Sequence, residues 1–377
     1  MRQYRALGLM SGSSLDGLDL AFVRFQENTG SWSFEMPCST CYPYPEEWKD
    51  KLQGAIGLSA RDYLLLHGDY GRYLGQQVKR FIEENGLAYQ VQLIASHGHT
   101  VFHQPSGRMT AQLGDGASLA AETGINVISD LRSMDMALGG QGAPIVPIGE
   151  NLLFPGYRFF LNLGGIANLS FHFDAPGEKP QRRVEAYDVC PASRVLNLLA
   201  ERNGKPFDEN GEMASVGSVL EPLLRKLNNL GYYRQPYPKS LANEFGTGAV
   251  YGLIESSGCS VEDGLRTYVE HICFQVQRAV SEFLKQASPA PEASTFSILV
   301  TGGSTQNAFL LERLRNWLQD DPVELVVPEQ AIILYKEALI MALIGVLRWR
   351  EEPNTLATVT GASRDSIGGA VWIGQPA

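Results

Sequence analysis

At 377 residues the chain outgrows a single small core and suits two domains of ordinary size. Hydrophobic residues make up 44% and charged residues 19%, which excludes a disordered chain. Lys plus Arg number 31 against 41 Asp plus Glu, a net charge of −10, and this acidic balance excludes the cationic face that a nucleic-acid binder needs. It does not exclude ATP, because a nucleotide arrives with Mg²⁺ and meets backbone N–H groups locally.

The opening MRQYRALGLMSGSSLDG is not read as a signal peptide, since its apolar stretch is short and Asp16 interrupts it. Tyr4 to Met10 is expected to be a strand, Ser11 to Gly17 a turn, and Leu18 to Phe25 a second strand. Ser33 to Cys41 is a third candidate strand. Leu66, Tyr70, Leu74, Val78 and Ile82 recur every fourth residue and predict a helix. Val91 to Ala95 reads as a short buried strand ending at Ser96-His97-Gly98. The same grammar returns with Phe159 to Leu163, a Gly164-Gly165 turn, Ile166 to Phe173 and Val184 to Asp188. Pro191 then suits a first helical turn, with helix continuing from Ala192 to Leu199. The two units lie roughly 150 residues apart, a spacing that gives one domain to each.

Ala287 to Ser294 reads as a surface loop, followed by an apolar strand running into Gly302-Gly303 and a helix from about Asn307. Ala338 to Leu347 is the longest apolar run, half the length of a bilayer crossing, so it predicts a buried helix and no membrane contact. The tail is a Gly-rich turn feeding one last strand. Cys38, Cys41, Cys190, Cys259 and Cys273 are an odd, sparse set, which points to reduced thiols and a cytoplasmic protein. Lobe limits are drawn at residues 1–130 plus 352–377 for the first domain and 131–351 for the second.

GLMSGSSLDGLD, Gly8 to Asp19, is the strongest local signal. Gly12 and Gly17 allow tight turning and close backbone approach, Ser11, Ser13 and Ser14 offer hydroxyls, and Asp16 or Asp19 could hold Mg²⁺ through water. A plain hairpin turn uses the same residues. Gly164-Gly165 and Gly302-Gly303 each end an apolar strand and persuade more as a set with the first turn. Asp188 is placed either as a general base or as the N-cap of the following helix. His97, His99 and His103 have metal-like spacing without nearby Cys or carboxylates, so they are read as orienting polar groups. Cys38 and Cys41 form a lone CxxC, read as strand filling. Arg132, Asp135, Gln141 and Gly142 lie in a Gly-rich polar loop suited to a hinge or a hydroxyl-rich ligand. Glu337 is a single carboxylate opening an apolar helix, where the helix dipole alone favours it.

Together these segments resemble the anhydro-N-acetylmuramic acid kinase family, over nearly the whole chain and in order. The matching pieces include GLMSGSSLDGLD, ASHGHTVFHQP, SDLRSMDMALGGQGAPIVP, FLNLGGIANLS, PKSLANEFG, ILVTGGSTQN and YKEALIMALIG. The resemblance implies a two-domain actin-like ATPase (ribonuclease H-like) α/β fold with duplicated mixed sheets and a central cleft. It implies ATP-dependent opening of a 1,6-anhydro amino sugar with phosphorylation at O6. By motif, Gly12, Ser13, Ser14, Leu15, Asp16, Gly17, Leu18 and Asp19, with Gly164, Gly165, Gly302 and Gly303, would bind ATP phosphates. Asp16 would hold Mg²⁺ through water, and Asp188 would be the base. Thr100, Arg132 and Glu337 would contact the sugar. The partners are then the amino sugar and ATP, and a homodimer is what the family suggests. The family's Thr-Gly-Pro-Gly-Asn run after the Asp is replaced here by Val189-Cys190-Pro191-Ala192-Ser193. A second reading on the same fold is a non-catalytic nucleotide- or sugar-binding protein.

Overall fold

Ala6 to Met10 carries no charge and has apolar side chains on both faces of an extended chain, so the segment can only lie inside a sheet. In the computed structural model, which describes residues 1–12, 15–175, 181–236, 239, 241, 245–286 and 295–375, it forms the heart of β1 (Arg2–Ser11), with Ala6, Leu7 and Leu9 fully buried. β2 (Gly17–Asn28) returns antiparallel, pairing Ser11 with Leu18, and β3 (Ser31–Pro43) runs antiparallel outside it. Ser59 caps helix α1 (Ala60–Glu84), its side chain accepting from the Asp62 N–H. Leu66, Tyr70, Leu74 and Val78 form the buried stripe as predicted, but Phe81 rather than Ile82 is the buried residue of the next turn. A 3.6-residue turn drifts from a strict spacing of four.

β4 (Leu93–Gln104) lies parallel to β1 and is far longer than the expected Val91 to Ala95. It continues through Ser96-His97-Gly98 because its outer half has a partner of its own, the antiparallel β5 (Met109–Leu113). After helix α2 (Gly116–Thr123), β6 (Asn126–Ser129) pairs parallel to β4, and the C-terminal strand Ala370–Trp372 closes that edge antiparallel to β6. The order β3-β2-β1-β4-β6 is completed by a short helix, α3 (Pro147–Leu153), which belongs to the same unit.

In the second unit β7 (Phe159–Leu163), β8 (Ile166–Ala175) and β9 (Gln181–Pro191) form an antiparallel meander. Helix α4 (Ser193–Glu201) follows, then the long α5 (Val261–Gln286), whose Leu265, Tyr268, Val269, Ile272, Val276, Val280 and Phe283 fill the core. β10 (Phe296–Thr301) pairs parallel to β7, helix α6 (Ala308–Trp317) follows, and β11 (Val323–Val326) pairs parallel to β10. The order β9-β8-β7-β10-β11 repeats that of the first unit, three antiparallel strands and then two parallel ones. Pro191 does not open a helix. It is the last residue of β9, paired with Ile166, and its carbonyl accepts from the Tyr268 hydroxyl at 2.8 Å.

Helix α7 (Gln330–Trp349) carries the chain back to the first unit from Tyr335. Its length and mean hydropathy of 1.8 would suit a membrane crossing, yet 67% of its apolar window is buried inside the protein. The compact units are Met1–Pro155 with Tyr335–Ala377, and Gly156–Leu334. The sequence draws the limits at 130/131 and 351/352, whereas the compact units meet at 155/156 and 334/335, because α3 packs against β3 and α7, and α7 packs against β1 and β4. Ser13 and Ser14, the loop Ala287 to Ser294 and much of PKSLANEFG lie outside the described residues.

α7 approaches β1 so closely that a Cβ added at Gly8 would lie 1.8 Å from the Ala338 carbonyl oxygen. Gly8→Ala is expected to destabilise by at least about 3 kcal/mol, the upper end of core overpacking, seen as a Tm fall of roughly 6 °C or more. Gly252→Ala, in the helix Tyr251–Ser256 where a Cβ meets nothing, should instead raise stability by up to about 1 kcal/mol. Equal melting of Gly8→Ala and wild type would refute the packing argument.

Candidate active site

In each unit the candidate residues gather where the parallel strands end. In the first unit the Gly12–Asp16 turn follows β1, Thr100 lies just beyond the β1-paired half of β4, and Arg132 comes three residues after β6. Parallel strands end with their loops on one edge of the sheet, so sites form there by topology.

The hairpin turn is closed by the Leu15 N–H donating to the Gly12 carbonyl at 3.5 Å, with Leu15 in a left-handed conformation at φ 58°. Asp16, next to the start of β2, is exposed. Gly17 and Leu18 are already in β2. Gly17 is glycine because β3 passes over it, a Cβ there meeting the Tyr42 carbonyl oxygen at 2.6 Å, and the Leu18 side chain is core. Beneath the turn runs a buried hydroxyl chain. The Tyr44 hydroxyl donates to Ser11 Oγ at 2.8 Å and lies 2.6 Å from that of Tyr70, and Ser11 Oγ is 3.2 Å from His99 Nδ1.

Thr100 and Arg132 are brought into direct contact. The Arg132 guanidinium donates to Thr100 Oγ1 at 3.1 Å, to the Gly142 carbonyl at 2.6 Å and to His103 Nδ1 at 3.2 Å. Burial lowers its pKa to about 10, with Asp135 opposing. Asp135, fully buried, builds the loop that carries Gly142. Its carboxylate accepts from the Gly142 N–H and the Thr360 hydroxyl, both at 2.7 Å. His97 Nδ1 donates to the Gly98 carbonyl at 2.9 Å, so the three histidines serve three different partners.

Acids collect between β2 and α7. Burial pushes Asp19 up to about 6, with the charges of Glu337 and Asp16 adding and a hydrogen bond from the Cys41 thiol opposing. The thiol in turn is pushed up to about 12, first by burial and then by Asp19. Glu337 is also raised by burial, with Lys336 pulling it down and Glu150 pushing it further up. Sequence reasoning missed the Lys336–Glu150 ion pair. Its one signal was a lone Lys entering an apolar run, since a buried ammonium demands an acid.

In the second unit the Gly164-Gly165 turn follows β7 and the Gly302-Gly303 turn follows β10, its parallel neighbour. Gly164 and Gly165 spend their carbonyls on the start of α4, accepting from Ser193 N at 3.1 Å and Ala192 N at 2.8 Å. Gly302, at φ 93°, faces Asn162 and Leu163 so closely that only glycine fits. Asp188 lies near the end of β9, at this same edge, opposite Asn168 and next to a bulge at Val189. Bulges beside sites re-aim side chains. Asp188 is not an N-cap: α4 begins at Ser193, behind Ala192, which makes no side-chain cap. Its carboxylate accepts from the Leu241 N–H at 2.8 Å, and Tyr232 donates its hydroxyl to the Asp188 carbonyl. Burial raises the Asp188 pKa, and the Leu241 bond partly offsets this. Among the described residues no cluster of three metal-ligating side chains occurs.

Two sheets with one shared strand order, each with candidate residues at the end of its parallel strands, define an actin-like, ribonuclease H-like α/β protein. The family described as anhydro-N-acetylmuramic acid kinase matches residues 4–374, and the chain belongs to that family. It is 33% identical to the anhydro-N-acetylmuramic acid kinase of Vibrio parahaemolyticus over 95% of both chains. It is 31% identical to that of Bacillus thuringiensis, covering 97% of this chain and 98% of the other. With that of Haemophilus influenzae the identity is 32%, over 99% and 98%. Among solved structures, an ADPNP-bound activator of 2-hydroxyisocaproyl-CoA dehydratase from Clostridium difficile aligns at TM-score 0.40 and 14% identity over 92% of this chain and 96% of that one, too distant to carry an argument.

His97 and the fully buried His271, which bonds Asn228 and Tyr233, are held neutral by burial, down to about 4 and about 3. Unfolded, both take a proton near 6.5. Below that pH the unfolded chain binds more protons, so stability falls as pH drops, by about 1.4 kcal/mol per pH unit for each histidine. Denaturant unfolding at pH 7.5 and 5.5 should show the loss, and the two imidazole NMR signals should stay flat down to about pH 5. Titration of either ring above pH 6 would contradict this.

Proposed function

We propose that the chain is an ATP-dependent sugar kinase that opens the 1,6-anhydro ring of anhydro-N-acetylmuramic acid with water and phosphorylates O6, giving N-acetylmuramic acid 6-phosphate and ADP. In this reading the two compact units are its two lobes. Asp188 takes a proton from the water that attacks the anomeric carbon. The bond from that carbon to O6 breaks, O6 attacks the γ-phosphorus, and the bond to the β-phosphate oxygen breaks as ADP leaves. The observation that carries this reading is the setting of Asp188. It stands in a strand beside a bulge, free of any capping duty, with its carboxyl made more basic by burial.

The hairpin Gly12 to Asp19, with Gly164, Gly165, Gly302 and Gly303, is assigned to the ATP phosphates, and within it Leu15, Gly17 and Leu18 shape the turn and its sheet. Thr100, Arg132 and Glu337 are assigned to the sugar. The donors of Arg132 suit a hydroxyl- or carboxylate-bearing ligand, and Glu337 suits a donor such as a hydroxyl or an amide N–H. The exposed carboxylate of Asp16 is a hard oxygen donor in water, which fits Mg²⁺ bound through its own hydration shell. Bound there, the ion would neutralise charge on the phosphates. Use of ATP and five free thiols support a cytoplasmic setting.

Asp188→Asn should lower sugar-dependent ADP release by at least about 10³-fold, within the range for a lost general base, while ATP affinity measured by calorimetry stays the same. Turnover within tenfold of wild type would remove Asp188 as the base. Wild-type protein that releases no additional ADP when the sugar is supplied would remove the kinase reading itself.

A further inference from the structure

Thr100, His103, Thr110 and Gln112 share one face of the β4–β5 ribbon. Thr100 pairs with Gln112 and His103 with Thr110, and the shift in register between Thr100 and Phe102 brings the two β4 residues to the same side. Arg132 reaches both, its guanidinium donating to Thr100 Oγ1 at 3.1 Å and to His103 Nδ1 at 3.2 Å. Each group has a fixed set of hydrogens, and this decides what it can still do. The Thr110 hydroxyl donates to the Phe102 carbonyl at 3.4 Å, so toward Gln112 it can only accept. That sets the Gln112 amide, with Nε2 donating to Thr110 Oγ1 at 2.7 Å and to Thr100 Oγ1 at 3.3 Å. Thr100 Oγ1 therefore accepts from both Arg132 and Gln112, its lone pairs are taken, and its hydrogen is left to donate. An arginine only donates, so His103 Nδ1 accepts and Nε2 bears the ring proton. Arg132 Nε is held by the Gly142 carbonyl, and each terminal nitrogen keeps one further hydrogen.

Arg132 is only 7% exposed, yet among the described residues no carboxylate forms an ion pair with it. Asp135, whose charge reaches it, has committed its oxygens to the Gly142 N–H and the Thr360 hydroxyl. A buried cation without a bonded counter-ion is costly. So is Gln112 Oε1, which is shielded from solvent and has no partner among the described residues. Stability explains neither, whereas both are what a site preorganised for an anionic ligand requires. We propose that His103 and Gln112 are positioning residues that make the Thr100–Arg132 pair a donor-only seat for a carboxylate, and that this seat reads the lactyl acid of the sugar. The inference rests on the reading of Thr100 and Arg132 as sugar contacts. Gln112 Nε2 keeps the Thr100 hydroxyl turned outward as a donor, and His103 anchors one end of the guanidinium. The His103 ring is exposed, which leaves the rim of the seat open to a ligand. A carboxylate accepts on both oxygens and has nothing to donate, so it meets every free hydrogen here. A sugar hydroxyl brings a hydrogen of its own and finds no open acceptor among these groups, since Gln112 Oε1 is enclosed.

Calorimetry on the full chain without ATP tests this, comparing anhydro-N-acetylmuramic acid with 1,6-anhydro-N-acetylglucosamine, the same ring lacking the lactyl acid. Wild type should bind the acid at least about tenfold more tightly, as hydrogen bonds to a charged group imply. Gln112→Leu and His103→Phe should each weaken the acid by about tenfold and leave the neutral sugar nearly unchanged, so that the preference disappears. His103→Gln, whose amide oxygen can accept from Arg132 in place of Nδ1, should retain most of the preference. A merely structural role would weaken both sugars alike. Equal loss of both sugars in the two variants, or a preference that survives in both, would overturn the proposal. If Gln112→Leu fails to fold, Gln112→Glu supplies the comparison, because its carboxylate would accept from Thr100, reverse that hydroxyl and repel the acid. Inorganic phosphate covers the other source of an anion. Phosphate that displaces the acid sugar as readily as the neutral analogue does would mark a general anion seat and overturn the assignment to a carboxylate. Binding of neither sugar by wild type that still binds ATP would remove the sugar reading of Thr100 and Arg132 and this inference with it. Tight and equal binding of both would remove the inference alone.

Discussion

The contact of α7 with β1 at Gly8 governs the first unit. No side chain stands between the strand and the Ala338 carbonyl, so helix and sheet meet backbone to backbone. Gly345 repeats the arrangement farther along, where a Cβ would lie 2.5 Å from that of Ala95 on β4, and Gly149 brings α3 against Ile340 in the same way. Glycine is selected at these positions for its lack of bulk, not for backbone freedom. The result is a close-packed lattice of β1, β4, α3 and α7, within which the Lys336 ammonium on α7 meets the Glu150 carboxylate on α3 at 2.8 Å. Charges can be set this closely only if the elements bearing them cannot shift.

Within each unit, several polar side chains hold backbone groups of the turns at the strand ends. Asp135 holds Gly142, Arg132 holds the Gly142 carbonyl, Asp188 receives Leu241, and Ser193 holds Gly164. The loops at the strand ends are thus fixed by side chains that would otherwise be costly to bury.

Local pattern made much of this legible. The apolar run of β1, the Gly-rich hairpin, the stripe of α1 and the apolar helix α7 each follow from periodicity or composition, and the duplicated strand order follows from repeating that grammar. The remainder depended on partners distant in the chain. Pro191 looks like a helix opener until β8 is beside it. Asp188 looks like a cap until Leu241, 53 residues on, is seen on its carboxylate. Gly17 resembles a ligand-facing glycine until β3 is laid over it. The Glu150–Lys336 pair spans 186 residues, and no spacing rule reaches that far.

The Cys41 thiol, whose proton is committed to Asp19, also bears on the protein's chemistry toward reagents. Alkylating agents and disulfides react with thiolates, and a sulfhydryl that releases its proton only at about 12 offers almost none at neutral pH. Cys38 cannot serve as its partner, because three residues along an extended strand put the two sulfurs on opposite faces with Cα atoms roughly 10 Å apart, beyond the reach of a disulfide.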